Sequence, residues 1–285
     1  MWRFVMNTDS PVVLISGCST GIGRALAMEF AARNWWVFAT ARKPAAINDL
    51  KARNVETAAL DVTDEKSITV CVNSVIAKTG RIDILVNNAG LLLIGPLVEL
   101  ETSELRHQFE TNVIGMAALI RAVAPYMIGR RSGKIVNISS VSGVLPTPFA
   151  GAYCSTKAAV TAFSDSLRME LAPFGITVVT VQPGGIKSNL SGNADKELAR
   201  FQKTPYGPIQ NFIVARANAS QENATPAAVF AKELIDKLER KKTPRFIRLG
   251  KDSTLLPFIA RFPRAFIDAL LSKKFGLDRL RKYNK

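Results

Sequence analysis

Short apolar runs alternate with helical patterns along most of the chain. Val12–Ser16, Trp36–Thr40, Val55–Leu60, Ile84–Val86, Lys134–Ile138 and Ile176–Val181 are rich in Val, Ile and Leu. Runs of that length, bounded by Gly, Asn and Pro, read as strands buried on both faces. Helices are expected over Ile22–Arg33, briefly over Ala45–Arg53, and after a cap at Thr63, where Ile68, Cys71, Val72, Val75 and Ile76 recur at helical spacing. A long helix is expected over Ser103–Ile128, and another ends near Ala172. Strand and helix in alternation imply an α/β doubly wound parallel sheet, the Rossmann arrangement, with order 3-2-1-4-5-6 and a seventh strand near Phe246–Arg248.

Such a sheet binds ligands at the carboxyl ends of its strands, and the unusual residues fall there. The first strand leads into Ser16-Gly17-Cys18-Ser19-Thr20-Gly21-Ile22-Gly23, a glycine pattern that opens a helix. Its glycines let backbone amides approach a pyrophosphate, whose charge the helix N-terminus attracts. Asp61-Val62 follows the third strand, Asn87-Asn88-Ala89-Gly90 the fourth, Ser139-Ser140 the fifth and Pro183-Gly184-Gly185 the sixth. Sites for NAD carry an acid after strand two. Here Arg42-Lys43 stands instead, and a planar guanidinium suits a 2′-phosphate. NADP(H) is therefore expected over NAD(H).

Tyr153 and Lys157 are four apart, on one face of a helix. A close ammonium favours the phenolate. Lowering a phenol from about 10 by about three units takes roughly 4 kcal/mol. Cys154 points about 100° away from Tyr153 and reads as packing.

Composition narrows the chemistry. One histidine, His107, and three scattered cysteines, Cys18, Cys71 and Cys154, argue against a metal site, and no metal is expected. His107 stands in a charged helical stretch and reads as a surface residue. No uninterrupted apolar run reaches the ~20 residues that cross a bilayer, and the polar start, MWRFVMNTDS, does not resemble a secretory signal. The cytoplasm is the expected compartment. The net charge is +15, but residues 241–285 hold thirteen Lys/Arg against three Asp/Glu. The cations sit in a tail without a sheet of stacking aromatics, which argues against nucleic acid.

Taken together, Gly17-x-x-x-Gly21-x-Gly23, Asp61, Asn87-Asn-Ala-Gly90, Asn112, Ser140, Tyr153-x-x-x-Lys157 and Pro183-Gly184 resemble the motif set of the short-chain dehydrogenases/reductases, in the family's order over residues 11–190. Ser16 replaces the family's usual Thr and keeps the hydroxyl, and Pro-Gly-Gly is a variant of the usual Pro-Gly. The resemblance implies that Tyr153 exchanges the proton of the reacting oxygen and that Ser140 hydrogen-bonds the same atom. It implies that Lys157 lowers the phenol pKa and holds the nicotinamide ribose, while Asn112 binds a water that links Lys157 to solvent. It places Gly17, Ser19, Gly21, Ile22, Gly23, Arg42, Lys43, Asp61, Val62, Asn88, Ala89, Gly90, Pro183, Gly184 and Ile186 around the coenzyme, with Asp61 toward the adenine. Leu91, Leu92, Leu145 and Phe149 would line the substrate pocket, and the family often assembles as dimers or tetramers.

A pocket so apolar suits a bulky or lipid-like ketone reduced with NADPH. Within enzymes the alternative is a hydroxysteroid- or retinol-type dehydrogenase working oxidatively; outside them it is an NADP(H)-binding scaffold or sensor. The expected organisation is an N-terminal tail (1–10), an NADP-binding catalytic domain (11–250) with a substrate lid (188–225), and a basic amphipathic extension (251–285). That extension mixes Leu255, Phe258, Phe262 and Phe266 with Lys and Arg, a composition that suits contact with a membrane surface. It resembles the tails of short-chain enzymes acting on steroids, retinoids and 1-acyldihydroxyacetone phosphate.

Overall fold

A computed structural model describes residues 10–188 and 198–283. Seven parallel strands form one sheet, ordered β3-β2-β1-β4-β5-β6-β7. They are β1 (Val12–Ile15), β2 (Trp36–Ala41), β3 (Val55–Ala59), β4 (Ile84–Asn87), β5 (Gly133–Ile138), β6 (Ile176–Pro183) and β7 (Phe246–Leu249). Register is set by burial on both faces. Val13 and Ile15 face one core layer with Phe30 and Leu234, while Val12 and Leu14 face the other with Val72 and Leu119. Successive strand side chains point to opposite faces, so each strand feeds both layers. All seven carboxyl ends lie along one rim.

The helices differ from expectation in three places. The helix after β3, α2 (Glu65–Thr79), is capped by Asp64, whose carboxylate accepts from the Lys66 N–H; the Thr63 hydroxyl instead donates to Asp61 at 2.7 Å. The Ala45–Arg53 segment is a 3₁₀ turn, Pro44–Leu50. The expected long helix is interrupted: α3 (Thr102–Phe109) passes through a π-turn, Glu110–Ile114, into α4 (Gly115–Arg130). As one piece, Thr102–Arg130 has the length and composition of a membrane span. Its Leu119, Ile120, Val123 and Met127 are buried in the core, as in the packed helix of a globular domain.

A third apolar cluster lies beyond the sheet rim. Ile94, Phe149, Ala152 and Cys154 pack there with Phe201, Ile213 and Phe275. It joins α5 (Gly151–Leu171) to α6 (Gln210–Asn218) and to the basic tail, which folds as α7 (Leu255–Ile259), α8 (Arg264–Lys274) and α9 (Leu277–Tyr283). Part of the expected lid, residues 189–197, lies outside the described residues, as do residues 1–9 of the N-terminal tail.

Candidate active site

A cleft of about 450 Å³ runs along the carboxyl rim. Its coenzyme end is made largely of backbone. Gly17, Ser19, Gly21 and Ile22 line it where β1 turns into α1 (Gly21–Ala32). A Cβ on Gly23 would meet the Gly17 carbonyl at 2.3 Å and Asn88 Nδ2 at 2.4 Å, so only glycine lets this helix seat on the loop. Ser16 and Asn88 hold the two loops together. The Ser16 hydroxyl accepts from the N–H groups of Asn88 and Ala89, both at 3.0 Å, and Asn88 Nδ2 donates to the carbonyls of Ser16 and Gly17 at 3.0 and 2.9 Å. The Ser-for-Thr replacement thus keeps a working hydroxyl.

The first turn of α1 has no acidic side chain, and Thr20 makes no side-chain cap bond. Its amides are left for an anion. Arg42 lines the cleft, exposed and without an ion pair among the described residues, close enough to Asp61 to pull that carboxyl below its ordinary value after the stronger effect of Thr63. These features fit a phosphorylated dinucleotide. Lys43 does not line the cleft: it is exposed and stands just before the turn that Pro44 begins. Val62, Ala89, Gly90, Pro183, Gly184 and Ile186 complete the wall. Gly184 is constrained from outside, since a Cβ there would sit 1.8 Å from the Lys251 carbonyl. The second glycine of the variant turn, Gly185, pairs with Lys251 in a β-bridge.

Ser140, Tyr153 and Lys157 meet on the middle of the cleft wall. Ser140 lies two residues beyond β5, and its oxygen accepts from the Ser142 N–H at 3.1 Å. Ser139 holds α5 in place by donating to the Lys157 carbonyl at 2.8 Å. Lys157 is buried and donates to the Ile138 carbonyl at 2.8 Å, with its ammonium 5.6 Å from the centre of the Tyr153 ring. Burial pushes the phenol pKa up to about 12, against the pull of a hydrogen bond with Ser140 and the charge of Arg216. Burial also pushes Lys157 down to about 8. Burial therefore dominates the phenol among these residues, and the Lys157 ammonium is turned to the Ile138 carbonyl.

Asn112 sits in the π-turn and is buried. Its Oδ1 accepts from Leu91 N–H at 2.8 Å, and its Nδ2 donates to the Leu91 carbonyl and to Thr156 Oγ1, both at 3.0 Å. The side chain is committed to tying three segments together. A Cβ on Gly90 would lie 3.2 Å from Asn112 Oδ1 and 3.8 Å from Lys157 Nζ, so all three meet at one point.

At the substrate end, Leu91, Leu92 and Leu145 line the cleft as expected. Phe149 does not. It adopts φ +64°, is buried, and packs edge-on against Tyr206 and Phe275 behind the wall. Leu256, Leu271 and Phe275 of the tail supply wall in its place, with Arg216 and Lys274. Neither periodicity nor motif pointed to Arg216; the one available signal was a cation inside the apolar stretch Phe212–Ala217. His107 is exposed, as expected, but at the rim of the cleft near Asp61.

Residues 11–199 match the family model for short chain dehydrogenases. The chain belongs to the short-chain dehydrogenase/reductase family. It is 34% identical over 279 residues to a short-chain dehydrogenase/reductase of Pestalotiopsis microspora, covering 96% of this chain and 97% of the relative. It is 34% identical over 218 residues to the NADPH-dependent 1-acyldihydroxyacetone phosphate reductase of Schizosaccharomyces pombe, covering 75% and 73% of the two chains. Among solved structures, a short-chain dehydrogenase from Streptomyces avermitilis superposes with a TM-score of 0.76 at 32% identity, covering 98% of this chain and 100% of that one. A metagenomic short-chain oxidoreductase in complex with NADP gives 0.60 at 31% identity, covering 62% and 84%. As a member of this short-chain family, the chain is an oxidoreductase.

Proposed function

We propose that this short-chain enzyme uses NADPH to reduce the carbonyl of a bulky, hydrophobic ketone to an alcohol. The observation that carries this is the convergence of Ser140, Tyr153 and Lys157 on one wall, between a phosphate-accepting glycine loop and an apolar pocket. Bound at the loop, NADPH supplies the hydride. Arg42 receives the 2′-phosphate, and the bare end of α1 receives the pyrophosphate. Ser140 donates to the carbonyl oxygen, and Tyr153 delivers its proton to the same oxygen. Lys157 holds the ribose. With the Asn112 side chain fully engaged, its carbonyl, in a π-turn that alters helical pairing, receives the water that links Lys157 to solvent.

A phenol pushed up to about 12 is protonated at neutral pH. Reduction draws on that proton. The relative named for NADPH and an acylated ketone phosphate agrees with this reading, as does the NADP-bound neighbour. The test is a panel of ketones of rising size, followed by loss of NADPH absorbance. Turnover that rises with apolar bulk is expected; no NADPH oxidation with any ketone overturns the reading.

The tail splits its apolar residues between two duties. Ile267 and Phe275 are buried, and Leu271 packs beside Phe275. Phe258 meets Phe262 edge-on and Phe262 meets Phe266 at a tilt on the outside, with ring centres 5.8 and 5.7 Å apart, and Leu270 is exposed beside them in sequence. Exposed aromatics among Arg261, Arg264 and Lys273 suit the surface of an anionic membrane. The enzyme is thus a cytoplasmic protein that docks peripherally, with the tail walling the cleft from one face and meeting lipid with the other.

A further inference from the structure

Arg216 is an unusual residue for an apolar pocket. It lies on α6, only 9% exposed, and lines the substrate end of the cleft. Its Nε donates to Thr147 Oγ1 at 2.8 Å, which fixes the plane of the guanidinium. No carboxylate pairs with it among the described residues. The ionisable groups that sense its charge are Tyr153 and Cys154, which are neutral at pH 7. Burial alone pushes Arg216 below the ordinary arginine value. A guanidinium stays charged in a protein, and a buried charge without a partner is costly. Among the described residues, the acids on the cleft wall are Asp61, at the coenzyme end beside Arg42, and Asp252, exposed at the root of the tail. Lys274 adds a second cation to the same wall, on the exposed tail.

From this placement we infer that Arg216 recognises an oxyanion, a carboxylate or phosphate, carried by the ketone substrate. The inference rests on the ketone-reductase reading for the substrate's identity and on Arg216 for its charge. The fork of Arg216 matches two oxygens of such a group, while Leu91, Leu145 and Leu271 receive the apolar body. The pocket then selects an amphipathic molecule: an apolar chain, a carbonyl near Tyr153 and one anionic end.

Binding tests this without turnover. Dodecanoate, dodecyl phosphate and methyl dodecanoate are titrated into the NADPH-loaded full chain by calorimetry. The wild type is expected to bind at least one anion about 10- to 100-fold more tightly than the ester, the range of a charge-assisted hydrogen bond; the two anions show whether carboxylate or phosphate fits better. Arg216→Leu abolishes the preference and Arg216→Lys keeps part of it, with NADPH affinity unchanged in both. Equal binding of all three ligands by the wild type, or a preference that survives in Arg216→Leu, overturns the inference. So does an Arg216→Leu enzyme that loses activity equally on a keto acid and its methyl ester, since that marks a residue serving Tyr153 alone. Failure of the ketone panel removes the carbonyl-reductase reading and leaves the binding result standing.

Discussion

The two ends of the cleft are built from different materials. The coenzyme end is largely backbone: a glycine loop and a bare helix terminus, held by the side-chain clasp between Ser16 and Asn88. The substrate end is side chains drawn from far apart: Leu91, Leu145, Arg216, Leu271 and Phe275. A backbone site restricts which residues fit at consecutive positions, because a Cβ at Gly23 would strike the neighbouring loop. A side-chain site restricts only the final shape and charge, which many segments can supply. The first kind recurs across a family, while the second separates its members by substrate.

Tyr153 and Lys157 stand at the seam, and changes there should have the largest effects. Tyr153→Phe should lower turnover by at least ~10²-fold, the scale of general acid catalysis, while NADPH binding stays as in the wild type; fluorescence titration and steady-state rates separate the two. An enzyme that keeps most of its turnover would remove the phenol from the mechanism.

Lys157 gives a pH signature. Its folded value of about 8 lies below the ordinary 10.5. Between these values the folded state binds fewer protons than the unfolded one, so this group makes stability rise with pH across that window. Below pH 8 it is a buried charge that destabilises the coenzyme-free protein. Relative to Lys157→Met, the wild type should gain up to ~3 kcal/mol as pH rises from 7.5 to 10.5. Urea unfolding of both proteins measures the gap. A gap that is flat with pH would mean the ammonium is well solvated.

At the coenzyme end, Arg42→Asp should lower the preference for NADPH over NADH by about 10- to 100-fold, the range of a charge-assisted hydrogen bond. An unchanged ratio of kcat/KM for the two coenzymes would assign the 2′-phosphate to another group. At the substrate end, Phe262→Ser with Phe266→Ser should cut sedimentation with anionic vesicles by several-fold and leave NADPH binding intact. Retained vesicle binding would place the lipid contact elsewhere.

The fold was legible because strands buried on both faces must be written as apolar runs, and Val12–Ile15 shows no other pattern. The coenzyme loop was legible because its close contacts admit only certain residue types. The interruption at Glu110–Ile114 was not, since a π-turn and an α-helix share the same apolar spacing over so short a span. Phe149 was misplaced for a related reason. Hydrophobicity says that a side chain is buried, not whether it faces a cleft or the core behind it.

The sequence by itself determined the strands, the glycine cradle and the pairing of Tyr153 with Lys157, because each is a local pattern with local geometric consequences; the strand order followed from the alternation of strands and helices. Only the tertiary structure decided the electrostatic state of that pair, since burial depends on everything packed around it. The same holds for Arg216 and the basic tail: they share a wall with Leu91 and Leu145 across long stretches of chain, and no periodicity along the chain encodes that meeting.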